Sequence, residues 1–438
     1  MPVYQTIPWL MRNPLTGFEK IGRQSRGEPV RLDLGFFRPY LVTRPEHVQH
    51  VLRDQAANYL REGMTWEPFR RLVGNGIAGE GPSWEPHRSF FQTLFSGKNI
   101  WSMIDQMATS IADAVDGLDG HARAARPIDA AVEMTRIVQR AIIRVFFGDR
   151  ISSTDADRLG DAIAQALTSL GARMLLPFVP DSVPLPGDRA FARTNKIVNE
   201  IILPLVRESR TGAAKGGDVV SLLCQARDEN GALLTEQQVR DDVVAIFVAG
   251  TETTALALTW LWVLLDSHPE VAARLYEEVD GVVGADPVGQ SHLPGLRYTK
   301  MVLQEVLRLR PLGWILPRTA MRADTIGGVP VSAGSTVILS PYLTQRMPEH
   351  WERPLEFDPE RFSPERAERR HRFAYFPFGG GPHQCLGSHF FMVEAQLILA
   401  TLLRRYRPLL HTSSPIEPQA SLSLRPRRKV EVVLSPLG

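Results

Sequence analysis

Cys385 stands in the run F-P-F-G-G-G-P-H-Q-C-L-G, residues 376–387, which leads straight into the apolar stretch S-H-F-F-M-V-E-A-Q-L-I-L-A-T-L-L. Three consecutive glycines, Gly379 to Gly381, followed by Pro382 exclude helix and ordinary strand. They suit a tight loop in which backbone approaches another group closely. The first amides of a helix are unpaired and carry partial positive charge. A thiol at such a junction is biased towards thiolate, the form that ligates metals, and the same amides would tune a bound iron. A lone cysteine at a helix start is more often simply buried, so the metal reading rests on the loop around it.

Three more patterns carry chemistry. A-G-T-E-T-T, residues 249–254, breaks an apolar helical run with a carboxylate and hydroxyls. Ala249 and Thr253 are four apart and share one helix face, with Gly250 beside them. Glycine inside a helix costs about 1 kcal/mol relative to alanine, so something should offset it. A threonine there can instead bond back to a carbonyl one turn earlier and merely bend the helix. W-E-P-H-R, residues 84–88, sets the Trp84 indole N–H and the Arg88 guanidinium one helical turn apart, and a guanidinium fork matches a carboxylate. His87 beside them is read as a helix-surface residue. E-V-L-R places Glu305 and Arg308 three apart, commonplace on any helix, and P-E-R-F downstream supplies Arg361.

Taken together these motifs resemble the cytochrome P450 family. Phe378, Gly381, His383, Cys385 and Gly387 fill every named position of its haem-binding signature, F-x-x-G-x-(Arg/His)-x-C-x-G. Phe391 departs from the pattern, a bulky group where a small one is usual. The resemblance spans about Pro29 to Leu434, and the whole chain, 1–438, reads as one domain with 1–28 as an extension packing on it. It implies a mainly α fold with small peripheral β-sheets, haem b lying between a long central helix and the cysteine loop. Cys385 would be the iron ligand. Phe378, Gly379 and Gly387 would shape the loop, while Trp84, Arg88, Arg318 and His383 would meet the propionates. Gly250 would leave room for oxygen, Ala249 would flank it, Thr253 would hold a hydroxyl and an ordered water beside it, and Glu252 would relay protons from solvent. Glu305, Arg308 and Arg361 would form a structural network.

The resemblance further implies a haem-dependent mono-oxygenase that inserts one oxygen atom from O2 into a hydrophobic small molecule, such as a terpenoid or polyketide. Ring coupling or desaturation, and non-catalytic haem or ligand binding, are the alternatives. By the same analogy the pocket is lined by the loop 74–82 with Asn75 and Ile77, by residues 168–176, by Ala245, by Gly313, Trp314 and Ile315, and by Leu422. Trp314 either caps that pocket or packs in the core. Electrons would come from NAD(P)H through a separate ferredoxin and ferredoxin reductase. The ferredoxin would dock near the basic run containing Arg366, Arg369, Arg370 and Arg372.

The elements that must hold these groups are mostly helices. Apolar spacing of three and four predicts them near 45–53, 84–94, 101–118, 128–147, 155–170, 188–210, 218–227, 235–266, 269–283 and 299–309. Strand signals are short, at 30–34, 40–43, 336–340 and 430–434. Thr235 and Gln238 make a capping box for the 235–266 helix, and the polar group at 250–254 argues for a buried helix rather than a membrane span. Lysine and arginine number 50 against 48 acidic residues, which gives no reason to expect a nucleic-acid partner. Two cysteines exclude a disulfide framework. With no signal peptide or anchor read at the N-terminus, which Pro8 and Pro14 interrupt, the expected location is cytoplasmic.

Overall fold

The capping box starts the longest helix. Thr235 Oγ1 accepts from Gln238 N at 3.2 Å, and Gln238 Oε1 accepts from Thr235 N at 2.8 Å. From there the central helix runs Glu236–Asp266 in the computed structural model, which describes residues 8–10, 13–35, 37–63, 66–176, 179–180, 182–212, 218–412 and 415–437. Apolar residues cover the helix on all sides, as a helix inside a core requires. It packs against Ala130–Phe147, Asp188–Arg210, Arg297–Leu309 and the cysteine helix, Ser388–Leu403. The central helix and the segment Gly381–Leu403 are each long and apolar enough to cross a membrane. Their most apolar windows are 72% and 78% buried against protein, which accounts for that composition.

Several boundaries move for local reasons. The helix expected from 101 begins at Gly97, because Gly97, Lys98 and Asn99 carry no apolar signal. The one expected from 128 begins at Ala130. Ile128 and Asp129 instead pair with Val432 and Glu431, and the Asp129 carboxylate caps the helix through Ala131 N. The segment read as 218–227 is helical only over Val219–Leu223, since Asp228 turns the chain by accepting from Asn230 N and Ala232 N. Pro45–Gln49 is α-helical, but the turn that follows, His50–Asp54, is the wider π form.

Peripheral strands form four small sheets among the described residues. The largest runs Val30–Arg31, Tyr40–Val42, Thr336–Leu339, Leu316–Ala320, Tyr59–Leu60, with the second and third parallel and the other neighbours antiparallel. Near the N-terminus, Pro14–Ser25 lays Leu15, Phe18 and Ile21 on a cluster with Trp314 and Leu343. Residues 1–7, 11 and 12 of the expected extension lie outside the described residues.

Glu305, Arg308 and Arg361 converge in the core. Arg308 clamps Glu305 through Nε at 2.7 Å and Nη2 at 2.8 Å, and Arg361 Nε lies 3.4 Å from Glu305 Oε1. Asp358 N adds a donor to the carboxylate at 2.9 Å, while Arg308 also donates to the carbonyls of Gln345, Pro354 and Glu356. The network therefore fastens the Arg297–Leu309 helix to the 345–361 stretch. Removing one member strands a buried charge, so Arg308→Ala should cost roughly 3–5 kcal/mol. Denaturant midpoints measure this, and a loss below about 1 kcal/mol would show that the clamp is dispensable.

Candidate active site

The cysteine loop is shaped by backbone alone. Gly379 and Gly381 take φ of +67° and +68°, and a Cβ on Gly381 would collide with the carbonyl of Leu52. Cys385 N donates to Phe378 O at 2.8 Å, closing the loop. The cysteine helix begins at Ser388, so Cys385 precedes it and the nearest amide donor is that of Gly387. Cys385 borders a cavity of about 450 Å³ with Trp84, Arg88, Phe95 and Leu386. Protein atoms packed round the sulfur push its pKa up, against the Gly387 amide and Arg88, which pull it down. Cys385 is itself exposed to solvent, yet the surrounding protein outweighs the thiolate bias expected from the helix start; a bound metal cation would deprotonate the thiol outright. Phe391 is accommodated edge-to-face against Phe378, ring centres 5.6 Å apart.

Beside the loop lies a cluster of cations. Arg318 is 5% exposed and donates only to Pro317 O among the described residues, and burial lowers its pKa to about 10. The His383 ring lies tilted against Trp84, centres 4.3 Å apart; its Nε2 lies 3.1 Å from Glu80 Oε2, and its buried Nδ1 has no hydrogen-bond partner among the described residues. A buried guanidinium without a carboxylate and an orphaned imidazole nitrogen are costly alone and suit an anionic group between them. With a thiol on the adjoining loop and Phe378 beside it, this donor set fits haem and its propionates. Two of the expected propionate donors are engaged elsewhere: Trp84 Nε1 donates to Ile77 O at 3.2 Å, and Arg88 Nη1 to Gln384 O at 2.8 Å.

Two members of this cluster were not read from sequence. Glu80 accepts from Arg61 N at 2.8 Å and Nε at 3.0 Å. Burial would raise its pKa, but His383 and Arg61 more than offset that and hold it at about 2. Nothing in the local pattern around Arg61 or Glu80 marks them, since their partners come together only in the fold. His87 is a correction: far from lying on a helix surface, it is 2% exposed and paired with Asp242 of the central helix.

On the central helix, Ala249 is exposed although Val248 before it is buried, so this face opens where the motif lies. Thr253 Oγ1 donates to Ala249 O at 2.6 Å, the back-bond that bends a helix. Gly250 has a packing reason: a Cβ there would lie 2.9 Å from Ile142 Cδ1 on the neighbouring helix. Glu252 points away towards the C-terminal strands, where Arg425 Nη2 holds it at 2.6 Å. That pair borders a cavity of about 320 Å³ shared with Thr168, Phe247 and Thr251. Glu394 on the cysteine helix is fully buried, and among the described residues neither carboxyl oxygen accepts a well-formed hydrogen bond. Burial raises its pKa to about 8, opposed only by the Thr254 hydroxyl.

The expected pocket residues are dispersed. Ile77 and Ala245 are buried, while Asn75 and Leu422 are exposed. Gly313 and Gly379 both face Leu316, which brings the 313–316 segment against the cysteine loop. Trp314 resolves towards the core: its ring meets Phe18 edge-on at 5.6 Å, and its N–H donates to Ser421 O at 2.7 Å. Ile315 packs on the same cluster. Arg370 is likewise corrected. It is stacked over Trp351 at 4.0 Å and Phe362 at 4.9 Å rather than free at the surface, whereas Arg369 and Arg372 are exposed and Arg366 pairs with Asp358.

The model of the family described as Cytochrome P450 matches residues 1–433. The chain is a cytochrome P450. It is 34% identical over 420 residues to cyclooctatin synthase of Streptomyces melanosporofaciens, covering 93% of this chain and 89% of that one. Cyclooctat-9-en-7-ol 5-monooxygenase of the same species is 31% identical over 402 residues, 91% and 86% of the two chains. Pentalenene oxygenase of Streptomyces avermitilis is 29% identical over 429 residues, 98% and 94%. Among solved structures, the haem domain of cytochrome P450DA superposes with a TM-score of 0.86 at 26% identity, covering 97% of this chain and 93% of that one. This cytochrome P450 is therefore a haem-dependent mono-oxygenase.

Glu394 gives a test of the burial argument. Its folded pKa of about 8 lies above the ordinary 4.5, so above pH 4.5 the unfolded chain releases a proton that the folded one keeps. Stability should then fall as pH rises through that window, by at most about 1.4 kcal/mol per pH unit. Glu394→Gln should flatten the fall in denaturant midpoint. Parallel curves for the two proteins would assign the titration elsewhere.

Proposed function

We propose that this cytochrome P450 oxidises a terpenoid, with Cys385 as the iron ligand and Thr253 as the hydroxyl that directs protons. The observation that carries the site reading is the opened face of the central helix, where Ala249 and Thr253 stand with small side chains in an otherwise apolar core. The substrate class is supported by relatives whose names specify pentalenene and cyclooctat-9-en-7-ol. Bound haem supplies oxygen activation, which thiolate ligation favours throughout this family. Arg318 and His383 would hold the haem propionates. Thr253 would turn its hydroxyl from Ala249 O towards an ordered water, keeping a proton donor beside the reacting oxygen. Glu252, held by Arg425 at the edge of the 320 Å³ cavity, would pass protons inward from solvent. We assign the protein to the cytoplasm.

The back-bond from Thr253 to Ala249 O favours one rival reading, in which the threonine only bends the helix. A holoenzyme whose reduced carbon monoxide complex shows the red-shifted Soret band, and loses it in Cys385→Ala, tests the iron ligand, while the coupling of Thr253→Ala separates the two readings of the threonine. Thr253→Ala should still consume reduced cofactor, but product per cofactor should fall roughly 10- to 100-fold, with hydrogen peroxide making up the difference. Unchanged coupling would leave Thr253 as a bend-forming residue.

Electrons are proposed to arrive from a ferredoxin reduced by NAD(P)H through its reductase. The docking patch is narrower than the basic run suggests, because Arg370 is sandwiched by aromatic rings. Charge reversal at Arg369 and Arg372 should slow reduction by a ferredoxin several-fold at low salt and lose its effect as salt rises. Equal rates at low salt would move the docking face elsewhere.

A further inference from the structure

Three successive charged residues near the start of the central helix, Arg240, Asp241 and Asp242, face into the protein, and Arg240 and Asp242 are almost wholly buried. Their partners share a location. Asp242 Oδ1 accepts from Ile77 N at 2.7 Å, and Oδ2 is bonded to His87 Nδ1. Arg240 Nη1 donates to Leu72 O at 3.1 Å, Nε donates to Asn199 Oδ1 at 2.8 Å, and Nη2 reaches Asn195. Asp241 ties in through Arg240 Nη1 at 2.9 Å and Gln237 Nε2 at 2.7 Å. Every partner outside the central helix thus belongs either to residues 72–87 or to the helix Asp188–Arg210.

The fit at the loop is close. A Cβ at Gly74 would collide with the Asp241 carboxylate, and one at Gly76 with Asp242 Oδ1. Gly74 also has φ of +63°, so the chain is turned at that point onto the two acids. Ile77 is then held from both sides, its N–H by Asp242 and its C=O by the Trp84 indole at 3.2 Å. Burial works against a charge on His87, but Asp242 beside it more than offsets this and raises the imidazole's pKa. Asp241, Asp228 and Glu229 are the other acids that bear on the pair.

Buried ion pairs are poor stabilisers compared with apolar packing of the same volume; their best-attested use is to fix register. We infer that Arg240, Asp241 and Asp242 form a polar clasp that sets the 74–82 loop and the helix Asp188–Arg210 on the central helix, with Asp242 the positioning residue that determines which substrates the pocket admits. The inference rests on the reading that the 74–82 loop walls the substrate pocket. Asp242 touches no substrate in this account. It acts through the Ile77 amide, and His87 keeps its carboxylate aimed.

The test uses holoenzyme and two haem-ligating probes followed by Soret shift: imidazole, small enough for any opening, and clotrimazole, which needs a shaped pocket. Asp242→Ala should speed clotrimazole dissociation roughly tenfold, about 1.4 kcal/mol, while imidazole changes less than about twofold. Asp242→Asn, which keeps an oxygen for Ile77 N–H, should fall between wild type and alanine, and His87→Gln should resemble it. These two conserve volume and keep the question open to measurement should the alanine variant misfold. Amide exchange at Ile77 should quicken in the same order. Ile77→Trp checks the underlying pocket reading separately and should block clotrimazole with Asp242 intact. If it does so while the Asp242 and His87 variants alter both probes alike, or neither, the clasp is overturned. If Ile77→Trp leaves clotrimazole binding unchanged, the loop is not a pocket wall and the pocket reading falls.

Discussion

Cys385 is exposed to solvent on its loop, yet the protein atoms around it oppose a charge on its sulfur. Much of the site answers this conflict. The Gly387 amide and Arg88 both pull the Cys385 pKa down, yet burial outweighs them. A metal cation bound at the sulfur would favour the thiolate that the surrounding protein disfavours. The cations nearby are arranged for the other end of the cofactor. Arg318 and His383 Nδ1 keep capacity that nothing among the described residues satisfies. Such groups are tolerable only where an anion arrives, which makes the electrostatics of this part of the polypeptide a negative image of the haem propionates.

Buried carboxyl groups show three solutions to one problem. Burial pushes the Glu305 pKa up, and two arginines and a backbone amide oppose it. Asp242 shares its burden with a histidine and the Ile77 amide. Glu394 finds neither and instead keeps its proton. The first clamps structure, the second positions a loop, and the third places a neutral acid between the central and cysteine helices. Burial pushes all three carboxyl pKa values up, and they differ in the partners that oppose it.

The features most legible in the sequence are those whose partners are close along the chain. The glycine loop, Cys385, the capping box and the Glu305–Arg308 pair each span a few residues, and each keeps its geometry in the fold. Arg361 was legible only through the family pattern, since it meets Glu305 from fifty-six positions away. The pairs that were missed are distant: Asp242 with His87 is separated by 155 residues and Glu252 with Arg425 by 173. No periodicity links such positions. Gly250 has a packing neighbour that its motif does not announce, Ile142, because a helix motif does not say what lies on the far side of the helix. Trp314 and Arg370 carry the same lesson. An aromatic or a basic residue in a suggestive segment still turns towards whatever packing offers, here Phe18 for one and Trp351 for the other.

An indole has a single N–H. Trp84 gives it to the carbonyl of Ile77, on the loop whose amide is fastened to Asp242. A carboxylate that claims this hydrogen must release one side of the loop, and a loop drawn tighter must weaken the claim. Linkage makes the two effects equal in size. One proton on one ring would therefore couple how firmly a carboxylate is gripped to how freely the 74–82 loop can move.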